Sequence, residues 1–145
     1  MGWQWGGGWL AAAGFSDFAG STLVHSTGGA AALAGALLLG PRLGRFTKSG
    51  APAPMKPFAA SSIPLITVGI FILWLGWFGF NGGSQLAMGT ADDAIAVSTI
   101  FMNTFLAGAG GVMAAATVTR LGFGKTDVIQ MLNGCIGGLV AITAE

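Results

Sequence analysis

Residues Pro57 to Ala91 read PFAASSIPLITVGIFILWLGWFGFNGGSQLAMGTA, 35 positions without one Asp, Glu, Lys or Arg. A helix needs about 20 largely apolar residues to cross the hydrocarbon core of a bilayer. This stretch has that length and more. Strands of a membrane barrel would be about 10 residues long and alternate in polarity, and nothing here alternates. Working outward, the same pattern recurs. Phe18 to Gly40 gives 23 uncharged residues, Ala94 to Thr119 gives 26, and Val128 to Ala144 gives 17. The spacing predicts an all-α, polytopic transmembrane bundle with four spans, at about 17–40, 60–83, 93–119 and 127–145.

Composition excludes the other classes. Of 145 residues, 8% are charged and 53% are hydrophobic, whereas a soluble domain carries about 25% charge. Disorder requires a far less apolar chain. The 26 glycines follow no collagen period. The single Cys135 excludes an intramolecular disulfide and a cysteine-cluster metal site. A net charge of +1 gives no pull toward nucleic acid.

The loops predict orientation. The first, about 41–57, carries Arg42, Arg45, Lys48 and Lys56 and no acid. The second carries Asp92 and Asp93, and the third Arg120, Lys125 and Asp127. Basic loops belong in the cytoplasm, so the first and third lie inside. The second loop and the start of the chain, with Trp3, Trp5 and Trp9, then lie outside. Pro41, Pro52, Pro54 and Pro57 keep the first loop from continuing a helix. Asp17 stands where an N-cap is wanted, and Thr126 or Asp127 can cap the last helix.

Glycines gather inside the spans: Gly76-x-x-Gly79-x-x-Gly82-Gly83, then Gly108, Gly110 and Gly111, then Gly134, Gly137 and Gly138. In lipid, small residues let helix backbones approach closely. Tight packing is the plain reading, and it leaves room for a narrow pore.

Each polar group inside the spans needs an account. His25, the only histidine, lies roughly 12 Å along the first span at 1.5 Å per residue, near the bilayer midplane. A neutral imidazole there suits a pathway, a proton relay, a structural hydrogen bond or a metal or haem ligand. One His and one distant Cys are too few for a metal or haem, so no metal or cofactor is expected. In Asp17-Phe18-Ala19-Gly20-Ser21-Thr22, the carboxylate can accept from the first-turn amides and from the Thr22 hydroxyl. That makes it a cap, a fixed negative charge near an outer cation site, or both. Trp5, Phe80 and Ser84 all fall on the outer side. An indole face attracts a cation, and a serine oxygen can accept an ammonium hydrogen, while an aromatic belt explains the rings equally well.

These residues carry a resemblance. Trp5-Gly6-Gly7-Gly8 followed by Asp17 to His25 resembles the ammonium transporter (Amt/Mep/Rh) family, its bacterial ammonium-transporter branch above all. Gly76-Trp77-Phe78-Gly79-Phe80-Asn81-Gly82-Gly83-Ser84 is a second match. Leu132-Asn133-Gly134 through Gly138-Leu139-Val140 is a third. The resemblance implies eleven spans in an inverted repeat and a homotrimer with one pore per subunit, in the plasma or inner membrane. This chain would be a central fragment, about spans five to eight. It implies Trp5 and Ser84 in an outer ammonium-recruitment site, and Phe80 as one of two stacked gate phenylalanines. His25 would be the first of two pore histidines, with Trp77 beside the pore. Asp17, with Thr22, would have a structural or electrostatic role at the outer mouth. A PII-type signalling protein on the cytoplasmic face is the implied partner. The expected function is ammonium/ammonia transport, not enzymatic catalysis. A sensor on the same fold, an Rh-type gas channel, and a small four-helix structural or cofactor-binding membrane protein are the alternatives. Trp5 speaks against the gas channel.

Overall fold

The computed structural model describes residues 2–45 and 58–144, and these are helical with no strand. A single turn, α1 (Trp9–Ala12), precedes α2 (Thr27–Leu39), whose π-helical lead-in covers Ser21–Ser26. Then come α3 (Ile63–Gly83), α4 (Ala91–Phe123) and α5 (Val128–Ile142). By length and composition, Ser21–Leu39, Ile63–Gly83 and Ala91–Phe123 can each cross a membrane. The fourth apolar helix, α5, has 15 residues, about 22 Å. Lys48, Lys56, Pro52, Pro54 and Pro57 of the expected basic loop lie outside the described residues.

The helix ends have identifiable causes. At α3, the Ser62 hydroxyl accepts from the Leu65 amide, and Pro64 sits where its missing N–H costs nothing. At α4, Thr90 and Asp93 form a reciprocal capping box: the Asp93 amide donates to Thr90 Oγ1 (3.1 Å) and the Thr90 amide to Asp93 Oδ2 (3.0 Å). Asp92 and Asp93, expected in a loop, therefore stand in the first turn of a 33-residue helix. Arg120, also expected in a loop, stands in its last turn, where its cationic head suits the helix C-terminus. Gly124, at φ 73°, ends the helix in a conformation only glycine adopts freely. Asp127 caps α5 as expected, accepting from the Ile129 and Gln130 amides.

Antiparallel pairs make up the core. On α4 and α5, Gly111 faces Gly134 and Ala107 faces Gly138, so that a Cβ on any of these glycines would collide with a facing carbonyl. On α3 and α4, Gly82 faces the Phe101 ring, Asn81 faces Thr104, and Trp74 lies over Gly108. The Asn81 Nδ2 donates to Thr104 Oγ1 (3.0 Å), both residues being fully buried. By contrast α2 packs against none of the other described helices, and only its π-helical lead-in touches α5. The end of α3, the start of α4, the end of α5 and the lead-in of α2 meet at one end of the bundle.

Candidate functional site

The site begins at Gly20. Its φ of 110° is one that side chains rarely adopt, and a Cβ there would lie 2.6 Å from Val24 Cγ2. This turn brings the chain back so that the Asp17 carboxylate, 2% exposed, faces the free amides of the helix start. Oδ1 accepts from the Gly20 amide (3.0 Å), and Oδ2 from those of Thr22 (2.9 Å) and Leu23 (2.8 Å). The expected N-cap position is thus corrected: Gly20 precedes the helix, and Asp17 caps it from three residues upstream. The first amides of a helix have no intrahelical acceptor, so a buried end without Asp17 would leave them unpaired. Thr22 enters this cluster through its amide.

Both the Val24 and His25 amides donate to the Gly20 carbonyl, each at 3.0 Å. The second of these is the wider π-type bond, a feature found frequently at functional sites. It sets His25 against α3. The imidazole stacks on Trp77 with ring centroids 5.2 Å apart and planes 23° apart. Phe80 lies 5.8 Å from the same imidazole and 5.9 Å from Trp77, closing a cluster of three rings. His25 Nε2 is buried and has no hydrogen-bond partner within the described residues. An unpaired buried nitrogen of this kind costs roughly 1–3 kcal/mol unless something fills its valence.

Trp77 is fixed in turn. Its Nε1 donates to Thr143 Oγ1 (2.9 Å), and that hydroxyl donates to the Leu139 carbonyl (2.7 Å). Thr143 also accepts the Ala19 amide at its carbonyl (2.8 Å), while Ala144 accepts that of Phe18 (3.0 Å). The two carbonyls just past α5 are therefore satisfied by the strip of chain that carries Asp17.

The outer residues are placed separately. Trp5 is 45% exposed, and its Nε1 donates to the Asp17 carbonyl (2.6 Å), which leaves the indole face free of that bond. Phe80 is 42% exposed. One turn on, the half-buried Ser84 donates its hydroxyl to the Phe80 carbonyl (2.9 Å) and keeps its oxygen lone pairs. Among the described residues no hydrogen bond or ring contact joins Trp5 to Ser84. His25, Trp77 and Phe80 are thus brought together, and Trp5 is brought to Asp17.

Sequence reasoning missed Thr143, Gly20 as the residue that enables the turn, and the capping box. The box had a local cue in Thr-x-x-Asp, and Gly20 had one in Asp-x-x-Gly. Thr143 had none, because its partner Trp77 is 66 residues away. A cleft of about 560 Å³ at the α4–α5 turn, lined by Val118, Thr119, Lys125 and Asp127 among others, holds none of the candidate residues. Among the described residues no three His, Cys, Asp or Glu side chains gather as metal ligands.

Comparison with known proteins gives this arrangement its context. The chain is 45% identical to ammonium transporter Amt2 of Archaeoglobus fulgidus over 152 aligned residues, which cover 98% of this chain and 31% of that protein. It is 43% identical to Amt1 of the same organism, covering 97% of this chain and 32% of the relative. With ammonium transporter 1 member 2 of Arabidopsis thaliana the identity is 40%, over 93% of this chain and 27% of the relative. The chain spans about a third of the length of these relatives. The model of the Ammonium Transporter Family matches residues 1–145, the whole of the sequence, and the chain belongs to that family of membrane proteins.

Proposed function

We propose that this chain forms the outer mouth and upper pore of an ammonium transporter. The observation that carries the reading is the His25 Nε2, buried and unpartnered, on a ring stacked against Trp77 and Phe80. A nitrogen held in an apolar aromatic wall suits a small hydrogen-bonding solute that passes and does not stay.

The chemistry follows from what separates ammonium from potassium, an ion of similar size. Ammonium has hydrogen-bond donors and can lose a proton. The exposed indole face of Trp5 attracts the cation, worth about 0.5–2 kcal/mol, and the Ser84 oxygen accepts one of its hydrogens. The Asp17 carboxylate, behind Trp5, adds negative potential while it holds the helix start. A bare ion entering the apolar stretch beyond would forfeit its hydration at great cost. Giving a proton to water at the outer mouth leaves ammonia, which passes Phe80 as a neutral molecule and hydrogen-bonds to His25. Potassium has no equivalent step. The gating role belongs to Phe80, and the wall role to Trp77.

In this reading the first and third turns, which carry the basic residues, face the cytoplasm and the recruitment residues face outside. The shared end formed by the start of α2, the end of α3, the start of α4 and the end of α5 supports that alternation. Four spans, a plasma or inner membrane location, a homotrimeric assembly and a PII-type partner on the inner face complete the proposal. In the complete transporter, His25→Ala is expected to reduce ammonium conduction or admit other cations, with the protein still folded. Ammonium and potassium currents measured across one membrane read this directly. Unchanged flux and unchanged selectivity would remove His25 from the pathway.

A further inference from the structure

Thr143 is fully buried, and it ties together every element that supports the His25 ring. Its hydroxyl accepts from Trp77 Nε1 and donates to the Leu139 carbonyl, so both of its hydrogen-bonding roles are occupied and its rotamer is fixed. Its carbonyl accepts from Ala19, two residues past Asp17 and one before the Gly20 carbonyl that takes the His25 amide. One residue therefore sets the indole that stacks on His25 and also anchors the turn from which His25 projects. A threonine near the end of an apolar helix ordinarily satisfies itself on the carbonyl four residues back. This one does so and still takes a further, long-range donor.

We infer that Thr143 is a positioning residue for the Trp77–His25 stack, acting on selectivity through the orientation of the indole. The inference rests on the reading of His25 as a pore residue. Loss of the Trp77 bond leaves the part-buried indole N–H unpaired, so the ring tilts to find another acceptor. Any tilt changes the 5.2 Å stacking that holds the imidazole. Trp77 and His25 stay in place chemically, and only their relative geometry changes.

The test uses the full-length transporter in membranes. Thr143→Val matches the shape and removes the acceptor, and Thr143→Ser retains it. Two readouts are taken: the indole N–H resonance of Trp77, which reports its hydrogen bond without reference to transport, and the ammonium-over-potassium current ratio. Thr143→Val is expected to move the resonance and lower the ratio about 2- to 10-fold, the effect of one lost hydrogen bond. Thr143→Ser is expected to restore both. A resonance unmoved by Thr143→Val overturns the inference. So does a moved resonance with a wild-type ratio, provided His25→Ala does alter the ratio, in which case the pore reading stands alone. A wild-type ratio in His25→Ala removes the pore reading and this inference with it. Should Thr143→Val fail to assemble, Trp77→Phe deletes the donor and leaves the Thr143 bond to Leu139. It must then lower the ratio to a similar degree, and a wild-type ratio there overturns the inference.

Discussion

The α4–α5 hairpin and the α2 helix are both apolar and glycine-bearing, yet they use glycine in opposite ways. On the hairpin, Gly111, Gly134 and Gly138 lie against facing backbone carbonyls, with no room for a Cβ. On α2, a Cβ added to Gly28, Gly29 or Gly35 would meet nothing within 4 Å. No α2 residue is buried, and Leu37, Leu38 and Leu39 are exposed. A glycine in an apolar helix thus permits close approach without causing it. Approach also needs a facing helix with matching small residues, and Ala107, Gly111 and Ala115 against Gly134 and Gly138 provide one. Between the two regions lies the strip Asp17–Gly20, hydrogen-bonded to the end of α5 on one side and opening the lead-in of α2 on the other.

The sharpest way to break this comparison is to put bulk on the hairpin. Gly134→Leu should force α4 and α5 apart, since the facing atoms are a backbone carbonyl of Gly111 and the Cβ of Ala115, neither of which can swing aside. Overpacking ordinarily costs about 1–3 kcal/mol, and contact with backbone puts this site at the upper end, near 3 kcal/mol. Denaturant unfolding in detergent and the yield of folded protein measure it. Stability like that of wild type would mean that the close approach does not hold.

Asp17 comes next, because it controls the strip that joins the regions. Asp17→Ala removes the acceptor for the Gly20, Thr22 and Leu23 amides and should cost on the order of 1–2 kcal/mol as a cap. In the full-length protein, the proposed transport should fall together with stability. Asp17→Asn keeps an acceptor oxygen and loses the charge, so it should recover part of the stability and little of the transport. Parallel unfolding and ammonium-flux measurements separate the two roles. An Asn variant that transports like wild type would leave Asp17 as a cap alone.

These contrasts show which features the sequence makes legible and why. The long uncharged runs fix the helices because bilayer thickness sets a length that charge spacing reveals directly. The uncharged run from Pro57 to Ala91 contains α3, which ends at Gly83, and Asp127 caps α5. Charged residues misled at the ends of α4, because Asp92, Asp93 and Arg120 read as loop residues but serve the helix termini. His25 and Phe80 are selectable from residue type and place in the span, and Trp77 only through the family resemblance. Their convergence depends on the wider turn at Gly20, which composition and period do not encode. Thr143 stayed invisible for a related reason: a threonine in an apolar run has no meaning until the helix that faces it is known. Which glycines pack closely was hidden in the same way, because Gly35 and Gly134 look alike until their neighbours are placed.

The smallest effect sharpens the comparison from the α2 side. Gly35 is helical, and its added Cβ would enter open space. Alanine there removes the backbone freedom that glycine loses on entering a helix, a gain of up to about 1 kcal/mol. Gly35→Ala in the 145-residue chain should therefore leave stability unchanged or raise it slightly, whereas Gly134→Leu lowers it. The same substitution in the full-length transporter reads a different environment, since this chain spans only about a third of its relatives. A neutral result in the short chain with a clear loss in the long one would show that further helices close on α2 at Gly35. A clear loss already in the short chain would show that α2 packs on its own neighbours, and the contrast between the two regions would fall.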